Sequence, residues 1–139
     1  MSYSTAFPQA LEILICVHFD SHKQCHHFLS TREISEELKI PIPTTAKVIS
    51  KLIQAKLLTS KEGAKGGVIL TRSLEDITLF EVFQAVEFGN PLFKMPLNID
   101  QIEYDEAKVI LAKGLKILEG AEEHLHLYLK KIKVSALIL

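Results

Sequence analysis

Two prolines separated by one residue constrain the fold of this chain more than any other feature. Pro41 and Pro43 lie within the segment Lys39-Ile40-Pro41-Ile42-Pro43. A proline inside a helix removes a backbone donor and clashes with the preceding turn, so no helix can continue through this segment. Pro43 nevertheless suits the first turn of a new helix, where the missing N–H has no partner in any case. The sequence therefore predicts two helices joined by a tight turn.

The first of these helices has a recognisable start. Ser30 is followed three residues later by Glu33. This spacing is typical of a capping box, in which each side chain bonds the other residue's backbone N–H. Ile34 and Leu38 lie at helical spacing and are predicted to face inward. We expect a short helix that ends at about Leu38.

The second helix, predicted from about Pro43 to Ala55, has two faces. Thr44, Lys47 and Lys51 recur at i, i+3 and i+7 and predict an outward row. Its buried stripe is predicted to contain Ala46, Ile49, Leu52 and Ile53. Two short helices joined by a tight turn are the helix-turn-helix unit.

A β-hairpin is predicted directly after this unit. The runs Leu57–Glu62 and Val68–Arg72 suit strands, and Gly63–Gly67 between them is rich in glycine. A hairpin in this position is a wing. A further amphipathic helix is predicted from Leu79 to Phe88.

Helices are also predicted at both ends of the chain. The first spans about Thr5 to Phe19 and precedes a polar loop, while the last spans about Tyr104 to Lys133. The long last helix carries a heptad seam, which is typical of a helix that pairs with a second copy. The seam consists of Ala107, Leu111, Gly114, Leu118, Ala121, Leu125, Tyr128 and Ile132. Ile110 and Ile117 are predicted to cover the chain's own domain.

Together these elements predict a mainly α fold with a small β-hairpin. We expect a winged helix-turn-helix domain over residues 1–88, a connecting loop over 89–103, and a long dimerisation helix with a tail over 104–139.

Charge is unevenly distributed although the net charge is only −1. Residues 30–73 hold eight Lys and Arg against four Asp and Glu, a balance of +4, whereas residues 74–139 hold seven against eleven, or −4. A local basic patch suits contact with phosphates. It lies on the predicted helix-turn-helix and wing.

Several classes of protein are disfavoured. No apolar run is long enough for a membrane span, and the N-terminus lacks the basic region of a signal peptide, so a cytoplasmic location is expected. Two cysteines, Cys16 and Cys25, do not make a disulfide framework. No nucleophile–base arrangement stands out, and we expect no enzymatic activity.

A histidine-rich segment leaves one alternative open. His18 and His22 have i, i+4 spacing, and Cys25 follows closely. These residue types are soft-metal ligands, but a closed zinc site usually has two paired motifs and this segment has one. We expect no metal here, and a metal-responsive regulator remains the alternative.

The motifs over residues 34–87 resemble those of the Rrf-two family of bacterial winged-helix regulators. The resemblance rests on Ile34-Ser35-Glu36-Glu37-Leu38, on Ile42-Pro43-Thr44-Thr45-Ala46-Lys47-Val48-Ile49, on Gly63-Ala64-Lys65-Gly66-Gly67, and on Ile77-Thr78-Leu79 with Val86-Glu87. It implies a homodimeric, DNA-binding transcription regulator, often a repressor on a palindromic operator. It also implies that the helix from Pro43 enters a major groove while the wing follows the DNA backbone.

The residue types in this region suit contact with double-stranded DNA. Lysines neutralise phosphates, and short hydroxyl side chains approach phosphates or base edges closely. The predicted DNA-binding residues are Thr44, Thr45, Lys47, Ser50, Lys51, Lys61, Lys65 and Gly66, and the predicted dimer interface is Leu111, Gly114, Leu118, Ala121 and Leu125. The alternative is a winged-helix module that binds another protein and does not read DNA.

One departure from the family concerns its iron–sulfur cluster. Cluster-binding members hold the cluster through three cysteines ahead of the long helix, and residues 89–103 of this chain contain no cysteine. Iron–sulfur clusters need thiolate ligands. We therefore expect no cofactor of the family type.

Overall fold

The computed structural model describes residues 4–94, 96 and 98–138. It contains five α-helices and one β-hairpin among these residues, which confirms the predicted fold class. In chain order the elements are α1 (Ala6–Lys23), α2 (Thr31–Leu38), α3 (Ile42–Gln54), β1 (Leu58–Lys61), β2 (Gly67–Leu70), α4 (Leu79–Glu87) and α5 (Asp105–Lys130).

The turn between α2 and α3 is fixed by local hydrogen bonds. The capping box at the start of α2 is complete, because Ser30 and Glu33 each accept the other's backbone N–H. Lys39 ends α2 in the left-handed conformation, with φ of 57°. The buried Ser35 hydroxyl then donates to the carbonyl of Ile40 at 2.5 Å. The predicted helix-turn-helix unit is therefore present.

The wing is joined to the body of the domain by a third extended segment. β1 and β2 pair antiparallel, with Leu58 opposite Leu70. Leu29 also pairs with Val68 through two backbone hydrogen bonds of 3.0 and 2.9 Å. A Cβ atom on Gly67 would lie 2.3 Å from the Leu29 carbonyl oxygen. Glycine at this position is thus required for the contact between the wing and the domain.

A single core joins the N-terminal helix to the helix-turn-helix and α4. Ile13 and Leu14 of α1, Ile34 of α2, Leu52 of α3 and Val82 of α4 are all 0 % exposed. Burying such side chains contributes on the order of 1.5–3 kcal/mol each. This core holds α3 rigidly and leaves only its outer face for contact with other molecules.

The end of the chain returns to the domain. Leu129 and Val134 are buried, and the Val134 N–H donates to the Ile77 carbonyl at 2.8 Å. The Leu79 N–H donates to the Ile132 carbonyl at 2.9 Å. These bonds stop α5 at Lys130, three residues before the predicted end, because the chain there pairs with residues 77–79.

Two other predictions of detail were wrong. α1 continues to Lys23, through residues expected to form a loop. Ala46 is exposed, because the inner face of α3 consists of Thr45, Val48, Ile49 and Leu52. The buried face is turned toward Thr45 relative to the prediction. Nothing in the sequence indicated that this small polar side chain would be buried.

The predicted second row of α5 was also wrong. Ile110 and Ile117 are 67 % and 72 % exposed, so they do not cover the domain. The helix contacts the domain near its C-terminal end instead, where Leu125 and Leu129 pack on the core. None of the described helices has the length and apolar character that a membrane span requires.

Candidate nucleic-acid interface

The outward face of α3 is the centre of the candidate interface. Five side chains of this helix that lie opposite its buried stripe are exposed: Pro43, Ala46, Lys47, Ser50 and Gln54. The face carries one positive charge and two polar groups on an otherwise small surface. Gln54 was missed by the sequence analysis, although it lies seven residues after Lys47 and therefore on the same face.

Thr45 does not belong to this face. It is 0 % exposed, and its hydroxyl lies 3.1 Å from the Pro41 carbonyl oxygen, to which it donates. The same hydroxyl lies 3.4 Å from the Ile40 carbonyl. Its prediction as a DNA contact was wrong, because the side chain closes the turn before α3 from the inside.

A shallow cavity of about 360 Å³ lies beside this face, between the starts of α1 and α3. Thr44, Lys47 and Lys51 line it from α3, as the predicted outward row requires. Ser4 and Thr5, just before α1, and Gln9 in its first turn line the other side and were not found by the sequence analysis. Ammonium groups and hydroxyls beside two helix N-termini are an arrangement that attracts phosphate.

Lys51 is tied to the domain more closely than Lys47. It is half-buried, and its Nζ lies 3.3 Å from the Val86 carbonyl oxygen of α4, to which it donates. An ammonium has three donors, so two remain. Lys51 thus connects α3 to the end of α4, whereas Lys47 is exposed and has no such contact among the described residues.

The wing places its two lysines in different settings. Lys65 is exposed in the turn, and the Lys61 Nζ lies 5.5 Å from the centre of the Phe28 ring. Gly66 is half-buried and its N–H donates to the Gly63 carbonyl at 2.9 Å. This amide is therefore occupied within the turn, and Gly66 serves the shape of the wing.

The predicted dimer interface divides into two groups. Leu111, Gly114 and Ala121 are exposed, and Leu118 is half-buried. Leu125 is half-buried and packs against the domain's own core. The exposed apolar stripe of α5 consists of Ile110, Gly114, Ile117, Ala121 and Tyr128. We call this set the α5 stripe. Gly114, Ala121 and Tyr128 belong to the predicted seam, whereas Ile110 and Ile117 lie one residue before its Leu111 and Leu118.

Among the described residues, the N-terminal histidines and cysteines do not form a three-ligand metal site. The His18 and His22 rings are 4.4 Å apart, and burial lowers the pKa of His18, with a smaller effect from the nearby His22. Cys25 is exposed. Among residues 4–94, 96 and 98–138, no three His, Cys, Asp or Glu side chains are placed to hold a metal ion together.

A helix-turn-helix followed by a two-stranded wing, with the second helix exposed, defines a winged helix-turn-helix protein. The Rrf2 family model, described as an iron-dependent transcriptional regulator, matches residues 3–139. This chain belongs to the Rrf2 family, the family that its motifs resemble. It is thus a DNA-binding transcription regulator and not an enzyme.

Individual relatives agree with this assignment. The chain is 36 % identical to a Bacillus subtilis protein that bears the name of an HTH-type transcriptional regulator, YwgB, over 86 % of this chain and 74 % of the relative. T. potens IscR superposes with a TM-score of 0.67 at 18 % identity, covering 99 % of this chain and 86 % of that one. CymR, the global cysteine regulator of B. subtilis, superposes with a TM-score of 0.63 at 20 % sequence identity, covering 99 % of this chain and 95 % of that one.

The chain does not fit the iron–sulfur cluster that family members hold. Its only cysteines are Cys16 and Cys25, both far in sequence from residues 89–103. Cys16 is half-buried on α1, and burial is the main cause that raises the pKa of its thiol, which disfavours the thiolate a metal needs.

Proposed function

We propose that this protein is a sequence-specific repressor that binds a roughly palindromic operator as a homodimer. The observation that carries the proposal is the exposed face of α3, where Lys47 and Ser50 stand on a helix fixed by the core. A rigid helix that presents small and polar side chains fits a major groove and can approach base edges. Occupation of a promoter by such a dimer would block transcription.

Contacts to the DNA backbone supply most of the affinity in this proposal. Lys47 and Thr44 line the cavity beside the start of α1, where Thr5 adds a hydroxyl group. Lys61 and Lys65 extend the positive charge to the wing. Each lysine that neutralises a phosphate releases a counterion, so binding weakens with salt. We assign Lys47 and Lys65 to phosphates and Lys51 mainly to the position of α3.

The α5 stripe supplies the dimer interface. Ile110 and Ile117 are 67 % and 72 % exposed. They alternate with Gly114 and Ala121 at spacings of four and three residues. This 4–3 repeat is the pattern of helices that pack along each other, and the small residues allow close approach. The proposed DNA-binding unit is residues 1–88, with residues 104–139 as the dimerisation element. We propose a cytoplasmic location, where the promoters of bacterial relatives lie.

The salt dependence of DNA affinity tests the assignment of the lysines. Binding of a fluorescent duplex is measured at several salt concentrations for the wild type, Lys47→Ala, Lys65→Ala and Lys51→Ala. Lys113→Ala, an exposed lysine of α5, is the matched control. The slope of log affinity against log salt should fall by about one unit for Lys47→Ala and for Lys65→Ala and stay unchanged for Lys113→Ala.

The same measurement separates the roles of the two α3 lysines. Lys51→Ala should weaken affinity with a smaller change in slope, because this side chain also holds α3 to α4. Equal slopes for the wild type and the Lys47 and Lys65 variants would refute the phosphate contacts. Absence of any DNA binding would favour the alternative, a winged-helix module that binds another protein.

A further inference from the structure

An aromatic cavity between α4 and α5 lies outside the proposed DNA and dimer surfaces. Its volume is about 340 Å³, a size that suits a small organic ligand. Phe80, Phe83 and Phe88 form its apolar walls. Phe88 is 82 % exposed and stands at the mouth, although a phenyl ring is an unfavourable group to leave in water.

The floor of this cavity contains a buried carboxylate, which has no salt bridge to any side chain among residues 4–94, 96 and 98–138. Glu87 is only 4 % exposed. Its Oε1 accepts from the Ser4 N–H at 3.1 Å and the Ser4 hydroxyl at 2.8 Å, and its Oε2 accepts from the Asn90 amide at 3.4 Å. Among the residues that the structure describes, no Lys, Arg or His forms a salt bridge with it. A buried charge is costly unless a countercharge compensates it, and Oε2 has acceptor capacity left.

A second carboxylate faces the cavity from α5. Glu122 lines it, accepts the Leu92 N–H at 3.0 Å and lies 3.9 Å from the His126 Nε2. The Phe80 ring of this cavity also makes a cation–aromatic contact, because the Lys130 Nζ lies 4.6 Å from its centre. Aromatic faces and carboxylates together select cations over neutral or anionic ligands.

We propose that this cavity binds a small organic ammonium ion. The ammonium group would lie against Glu87 Oε2, with the apolar part of the ligand between Phe83 and Phe88. Glu122 adds a second negative charge that attracts the cation to the mouth. The proposal does not depend on DNA binding, since it rests on the cavity, its aromatic walls and the buried carboxylate of Glu87.

Calorimetric titration of the full chain with 2-phenylethylammonium tests the proposal, and 2-phenylethanol serves as the neutral probe of similar shape. We expect saturable binding of the ammonium and at least about tenfold weaker binding of the alcohol, as expected when one bond to a buried charge is lost. No binding of the ammonium, or equal binding of the two probes, would overturn the proposal.

Variants locate the ligand. Phe88→Ala should weaken ammonium binding by about fivefold, the size of one cation–aromatic contact. Because Phe88 is exposed, this change leaves the fold intact. Phe19→Ala removes a half-exposed phenyl ring of α1, remote from the cavity lining, and should leave binding unchanged. Equal effects of the two variants would contradict the assigned cavity.

Glu87→Gln tests the charge directly. Glutamine keeps an acceptor for the Ser4 hydroxyl, and we expect about tenfold loss of ammonium affinity with no loss of affinity for the alcohol. The unfolding midpoint of this variant is measured in parallel, so that a general loss of structure is recognised. Unchanged ammonium affinity in a folded Glu87→Gln protein would overturn the role of the carboxylate.

Discussion

At the scale of single residues, buried polar side chains decide which parts of the surface are available. Thr45 and Lys47 are two positions apart on α3, and one is 0 % exposed while the other is exposed. The difference follows from the hydrogen bond between the Thr45 hydroxyl and the Pro41 carbonyl, which satisfies a polar group in the core. The polar groups that α3 offers to the proposed DNA contact therefore include those of Lys47 and Ser50.

The pair formed by His27 and Asp20 gives stability a pH dependence. The Nδ1 of His27 lies 2.9 Å from a carboxylate oxygen of Asp20, and this hydrogen bond is the main cause that raises the pKa of His27. A histidine with a raised pKa contributes stability that is fully present below its unfolded pKa of about 6.5 and is lost as pH rises through the folded value.

We expect His27→Asn to lower the thermal unfolding midpoint more at pH 5.5 than at pH 8.5. Asn keeps a polar side chain but cannot be protonated. Thermal unfolding followed by circular dichroism at both pH values checks this, with Asp20→Asn as the matched variant. Equal losses at the two pH values would show that the charge of His27 contributes nothing.

At the scale of elements, the wing depends on close approach of backbones. A Cβ atom on Gly67 would clash with the Leu29 carbonyl oxygen, 2.3 Å away. A Cβ atom on Gly63 would have nothing within 4 Å. Both glycines have a positive φ, 154° at Gly67 and 108° at Gly63. Substitution by alanine would therefore strain the backbone at both positions but cause a steric clash at Gly67. Gly67 thus permits the contact that joins the wing to the domain, whereas Gly63 permits the backbone conformation of the turn.

Gly67→Ala is expected to lower the free energy of unfolding by about 2–4 kcal/mol, because the chain must move to relieve the clash. Gly63→Ala should cost about 1 kcal/mol, since it meets strain alone. Urea denaturation of both variants measures the difference. Equal losses would mean that the Leu29 contact does not hold the wing in place.

Most of these elements could be predicted from local signals. The capping box at Ser30, the prolines at 41 and 43 and the glycine-rich turn each act within a few residues, and the structure has the expected element at each. Features set by distant contacts could not be predicted. The return of residues 132–134 to residues 77–79 and the sharing of a cavity by Ser4 and Lys47 involve partners far apart in the sequence.

At the scale of the whole molecule, packing of α5 decides which of its faces is free. The heptad pattern predicted that the helix has an apolar seam but could not say which register contacts the domain. Leu125 and Leu129 pack on the core, and the exposed stripe keeps Gly114, Ala121 and Tyr128 of the predicted seam. Its isoleucines, Ile110 and Ile117, each lie one residue before a predicted leucine, and neighbouring positions on a helix differ in direction by about 100°. The α5 stripe stays exposed in one chain and is the surface that we propose for a second copy.

Ile117→Glu should convert the dimer into a monomer. A charge placed in a closely packed apolar seam would weaken association at least about thirtyfold, from a desolvation cost of about 2 kcal/mol or more. Ala112→Glu, at an exposed position away from the stripe, is the control and should leave the dimer intact. Sedimentation velocity distinguishes the two. A dimer that persists in Ile117→Glu would refute the stripe as the interface.

Selection of bound duplexes from a random DNA pool tests the central claim, that two copies of α3 read DNA together. The account predicts enrichment of an inverted repeat whose half-sites are centred about one helical turn, or about 34 Å, apart or a multiple of it. The enrichment should be lost in Lys47→Ala with Ser50→Ala. Recovery of no enriched sequence, or of a single half-site without symmetry, would contradict it.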